Sequence, residues 1–153
     1  LFYFLWFLKK YFAISKEESC QEKSMRHTVF LFGEAEKGEF CTPLLCKSLS
    51  QLADTFGHPP HESLGLAYAV QALLFQRELI YFRVKEEGFS TSDYRQGIRL
   101  LENRDLFHNL AAICVPGLGN GSLIDEISTV CLQHRSLLVL NEKDLYDLLT
   151  HHF

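Results

Sequence analysis

Four short, continuous apolar runs, at 29–32, 79–84, 111–115 and 137–140, alternate along this chain with stretches of helical period. A strand that is apolar at every position has both faces covered, whereas a half-solvated strand alternates with period two. Runs of this kind separated by helices define an α/β fold: a mainly parallel sheet of about four strands with helices on both faces. The expected sheet core is Val29, Phe30, Leu31, Ile80, Phe82, Ile113, Val115, Leu138 and Val139.

The helix boundaries have chemical signatures. Ser48 with Gln51 is a capping-box pair that opens a helix burying Leu49, Leu52 and Phe56, and Gly57 ends it before Pro59 and Pro60. A second helix is expected over about 62–76, with Leu66, Val70, Leu73 and Leu74 on its buried face and Tyr68 and Gln71 on the other. The polar stretch 85–93 reads as a linker or insertion point. Beyond it Ser92 or Asp93 starts a helix in which Tyr94, Ile98 and Leu101 align. Ser122 with Asp125, and Asn141 with Asp144, repeat the N-cap and N3 geometry for two more helices.

The chain has 153 residues, 47% hydrophobic and 22% charged, which suits one soluble globular domain. Its net charge of −4 gives no phosphate-tracking surface, so nucleic acid is not an expected partner. Five cysteines, an odd number partly set in apolar runs, suit a reduced compartment. Cys41 and Cys46 lack a matching Cys or His pair at zinc-ligand spacing, and no cofactor is expected. The first twelve residues, LFYFLWFLKKYF, are too few for a membrane span of about 20 residues. Residues 1–24 are read as an extension outside the fold, and 25–153 as one α/β domain.

From Val29 the chain reads VFLFGEAEKGEFCTPLLCKSLSQLADTFG, then LGLAYAVQALLFQRELIYFRV, then GIRLLENRDLFHNLAAICVPG. The order resembles the conserved core of contractile tail sheath proteins. In that family a strand ends in a Gly-x-x-x-x-Gly-x-x-x-x-Pro loop, a Ser-started helix ends in Phe-Gly, and a strand ends in Arg-Val. The resemblance extends from Val29 to Asn141. It implies a structural subunit, not an enzyme, that self-assembles around a tail tube, in the cytoplasm or in a phage-like particle. Its partners would be other copies and tube or baseplate proteins. Sheath proteins carry an outer domain where this chain has only 85–93, and they continue into a C-terminal domain with an arm, so a truncated or reduced form is implied. Under that reading Glu34, Glu36, Lys37, Glu39, Arg95 and Arg99 are the expected surface contacts.

An enzymatic alternative rests on the loop from Gly117 to Asp125, which follows a strand and opens a helix, as phosphate-binding loops do. It resembles the PGGxGTxxE signature of lysine-decarboxylase-like nucleotide phosphoribohydrolases, with Ser122 and Asp125 in place of Thr and Glu. Leu118 interrupts the glycine pair, and Glu34, Glu36 and Glu39 set carboxylates where a cradle needs bare amides. The seven histidines form no HxxxH or HExxH spacing, and no Ser lies in a GxSxG elbow.

Overall fold

The fold is given by a computed structural model, which describes residues 27–150. The extension read at 1–24 lies outside them. Ten elements follow in order: β1 (Thr28–Gly33), β2 (Pro43–Cys46), α1 (Leu49–Phe56), α2 (Gly65–Leu74), β3 (Glu78–Arg83), α3 (Thr91–Glu102), β4 (Leu110–Cys114), α4 (Gly121–His134), β5 (Leu137–Val139) and α5 (Glu142–Thr150). The strands form one sheet in the order β2-β3-β1-β4-β5. β3, β1, β4 and β5 are parallel, and β2 pairs antiparallel with β3.

The layers follow from crossover handedness. Strand-to-strand crossovers are right-handed, so reversing the direction of strand addition moves the connecting helices to the other face. Passing from β1 to β3 carries α1 and α2 over one face; their Leu52, Phe56, Leu66 and Ala69 pack on Val29, Leu31, Leu79 and Tyr81. Passing back to β4 and on to β5 carries α3 and α4 over the other, where Tyr94, Ile98, Leu123 and Ile127 pack on Phe30, Phe32, Phe82 and Ile113. α5 returns to the first face through Leu145, Leu148 and Leu149. The aromatic layer is continuous: the Phe32 ring stacks on Tyr94 at 5.3 Å and meets Phe82 at 5.1 Å.

All four apolar runs are strands and the sheet is mostly parallel, but it has five strands, not four. The added strand is β2, which the sequence reading left in a loop. It is four residues long, shows no alternation and begins with Pro43, a residue confined to strand starts and edges. Of the expected core, Ile80 and Leu138 are only half-buried, since Ile80 faces edge strand β2 and Leu138 lies in edge strand β5.

Capping divides the same way. Ser48 accepts from the Gln51 amide, and the Gln51 side chain accepts from the Lys47 amide, one residue earlier than a reciprocal box requires. Asn141 accepts from the Asp144 amide as expected of an N-cap, and Asp144 accepts from Leu140 N at 3.1 Å, again one residue earlier than a reciprocal box requires. Ser122 is not an N-cap: Asn120 holds that role, accepting from the Ser122 and Leu123 amides. In α2 the buried side is Leu66, Tyr68, Ala69 and Ala72, while Leu74 is exposed. Close approach to β1 is shown at the head of the helix, where Gly65 meets Gly33. Among the described residues, no helix is long and apolar enough to cross a membrane.

Candidate functional site

The chain leaves β1 toward β3 and returns past it to β4, so the switch point of the sheet lies at the carboxyl ends of β1 and β4. Open α/β sheets bind ligands in that crevice. On the β3 side of that point, the end of β1 is in contact with the head of α2. A Cβ on Gly33, the last residue of β1, would collide with the Tyr81 hydroxyl and lie 2.8 Å from the Gly65 Cα at the start of α2. Only two glycines permit strand and helix to approach so closely.

The amides at the head of α2 are already occupied by a side chain. Glu87, from the loop after β3, accepts from Leu64 N at 2.7 Å and Gly65 N at 2.8 Å at the head of α2. It also accepts from Glu34 N at 3.3 Å and Ser63 Oγ at 3.4 Å. A helix N-terminus favours negative charge, and an internal carboxylate supplies it. Burial pushes the Glu87 carboxyl above its ordinary value, against the pull of the three amides. The sequence reading placed Glu87 in a linker. The structure makes that loop a tether: Asp93, almost fully buried, accepts from Lys85 N at 2.9 Å, and the Tyr94 hydroxyl accepts from Gly88 N at 2.7 Å.

Arg83, the last residue of β3, organises the acidic loop after β1. Its guanidinium donates to the carbonyls of Gly38, Ala35 and Glu36, with 2.9 Å to Ala35, and lies 3.8 Å over the Phe40 ring. The Tyr81 hydroxyl donates to the Glu34 carbonyl at 2.6 Å. Glu36 accepts from His58 N at 2.8 Å, and Lys37 N donates to the Phe56 carbonyl at 3.2 Å. Gly57, between those two contacts, has φ 72° and ψ −143°, so it ends α1 with a positive φ but outside the left-handed helical well. Loop, strand end and helix end thus brace one another.

Among the expected contact residues, Glu36, Lys37 and Glu39 are exposed on this loop and Glu34 is half-buried. Arg95 and Arg99 are exposed on α3, where Arg95 Nε lies 3.7 Å from Glu126 Oε1 of α4. Among the described residues, neither arginine forms an ion pair with the acidic loop. The sequence reading singled out neither Arg83 nor Glu87. Nothing local marks either role, since the partners of Arg83 lie 45 to 48 residues away and those of Glu87 lie 22 to 53 residues away.

Burial raises the thiols and phenols of the core. Burial, reinforced by Asp93, pushes the Cys41 thiol up to about 11, and burial pushes Cys46 and Cys131 up to about 11 as well. The wholly buried Cys114 thiol is also raised, as is Tyr81, and burial takes Tyr94 to about 12. At the alternative loop, Asn120 takes the two amides that open α4, while Ser122 and Asp125 are exposed. Among the described residues, no group of three or more His, Cys, Asp or Glu side chains could hold a metal ion.

No protein-family model matches the chain, and no curated protein matches it.

Proposed function

We propose that this chain is a structural assembly subunit of the contractile tail sheath type, acting by association with further copies of itself and with tube or baseplate proteins. One observation carries the reading: the residues that make up the sheath-like wording are bound to one another. Gly33 meets the head of α2, Arg83 holds the Gly38 loop, and that loop closes on Phe56 and Gly57. A motif whose members form a framework has a reason to exist without any reaction to perform. The enzymatic alternative has weaker support, because the amides at the heads of α2 and α4 that could bind a phosphate are taken by Glu87 and Asn120.

The test has two arms. Light scattering over a concentration series, with and without tube protein, is expected to show mass above the monomer, and release of ribose 5-phosphate from nucleoside monophosphates is expected to be absent. Turnover that disappears in Asp125→Asn would overturn the reading in favour of the phosphoribohydrolase.

A further inference from the structure

β2 is an edge strand whose composition invites another strand to join it. Pro43, Leu44, Leu45 and Cys46 carry no charge, and Leu45 is 41% exposed. The outward N–H and C=O groups of such an edge form a template for pairing with another chain, which proteins commonly blunt with proline or with charge. Pro43 brings no N–H to this edge, and Lys47 sets a charge just past its end.

On the edge itself lies a side chain. The carboxamide of Gln51, in the first turn of α1, donates through Nε2 to the Leu45 carbonyl at 3.0 Å and accepts at Oε1 from Lys47 N at 3.0 Å. In a parallel strand pair, the residue opposite position i donates to the carbonyl before i and accepts from the amide after it. Taken with Cys46 as position i, Gln51 makes both of those bonds, while Cys46 is paired with Leu79 of β3 on the other side. One side-chain carboxamide therefore stands where a residue of a further, parallel strand would stand. Capping alone does not call for this arrangement: a capping box uses only the side-chain oxygen, whereas here the nitrogen also reaches a carbonyl six residues back. Both bonds are exposed to water and add little to stability; what they change is which backbone groups another strand can reach.

We propose that Gln51 seals the β2 edge against strand addition by a second copy of this chain. The seal goes beyond the assembly reading and stands without it: whatever contacts copies make, Gln51 keeps them from running the two sheets together through β2. The remaining edge groups are too few for a stable ladder while the carboxamide is in place, because β2 is only four residues long.

Amide hydrogen exchange and sedimentation of the full chain test it. Wild type is compared with Gln51→Ala, with Gln51→Asn, whose carboxamide is one methylene short of the edge, with Ser48→Ala and with the double variant Gln51→Ala/Leu45→Lys. In dilute solution, exchange of the Lys47 amide is expected to quicken about two- to tenfold in both Gln51 variants, the effect of losing one exposed hydrogen bond. Both are expected to self-associate at concentrations at least about tenfold below those wild type needs, and Leu45→Lys, by charging the opened edge, to reverse this in the double variant. Ser48→Ala removes the acceptor of Gln51 N and weakens the start of α1 but leaves the edge covered, so it is expected to sediment like wild type. Unchanged Lys47 exchange, Gln51 variants that sediment like wild type, or association that Leu45→Lys does not reverse would each overturn the seal. Ser48→Ala associating as strongly as Gln51→Ala would overturn it too, by tracing the effect to a loosened helix start. Wild-type assembly that none of these variants alters would refute the seal and leave the assembly reading standing. Melting temperatures identify a variant that fails to fold, and the two Gln51 substitutions then serve for each other.

Discussion

Replacing Glu87 by Ala removes the acceptor shared by Glu34 N, Leu64 N, Gly65 N and the Ser63 hydroxyl. The Leu64 amide belongs to an exposed residue and returns to water, whereas Gly65 is buried and Glu34 half-buried. Leaving a buried donor unpaired costs about 1–3 kcal/mol, so two such amides, less the relief of no longer burying a carboxylate, give a loss of about 2–4 kcal/mol. With a urea slope of about 1–3 kcal/mol per molar, the unfolding midpoint falls by roughly 1–2 M. Glu87→Gln keeps one carbonyl acceptor but turns an amide NH₂ toward the remaining N–H donors, and a smaller loss is expected.

The pH dependence has a definite sign. Burial raises the folded-state pKa of Glu87 above its unfolded value of about 4.3, so between those two pH values the folded chain binds more protons than the unfolded one. The contribution of this group to stability is therefore fully present below about pH 4 and is lost as pH rises through the folded-state pKa. Urea midpoints of wild type and Glu87→Gln measured from pH 4 to 8 should diverge accordingly, the wild type falling relative to the variant. An unchanged midpoint in Glu87→Ala would refute the capping of α2 by Glu87. A wild type that gains on Glu87→Gln as pH rises would show instead that the three amides outweigh burial.

Ile113, with no exposed surface at the centre of β4, should cost about 2–5 kcal/mol when cut to Ala, read as a lower denaturation midpoint; no change would mean the strand is not in the core. Gly33→Ala forces a methyl against the Tyr81 hydroxyl and the Gly65 backbone and should destabilise by about 1–3 kcal/mol, with faster amide exchange at the head of α2; a neutral substitution would show that strand and helix are not in contact.

The legible parts of the candidate site were those written in neighbouring residues. Ser48 with Gln51 marks the start of α1, and the glycines and acids after β1 mark a loop, because caps and turns are settled within a few residues of chain. Arg83 was visible as the end of a strand but not as the support of that loop, since the carbonyls it holds lie 45 to 48 residues away. Glu36, read as a surface contact, proves also to brace His58 across 22 residues.

By itself the sequence determined the class and the four parallel strands: continuous apolar runs between helical stretches call for cover on both faces, and Tyr94, Ile98 and Leu101 were bound to face inward at helical spacing, whereas the order of the strands in the sheet is a tertiary fact. Tertiary structure alone decided β2, whose four residues carry no periodic signal and become a strand only because β3 offers a free edge. It also buried Tyr68 where the period placed it outward, and it turned the polar stretch 85–93 from a linker into a tether. The division has one physical cause. Local geometry and hydrophobic period act over a few residues and are written in them, while edge pairing, close helix approach and a carboxylate that caps a distant helix depend on what folding brings alongside.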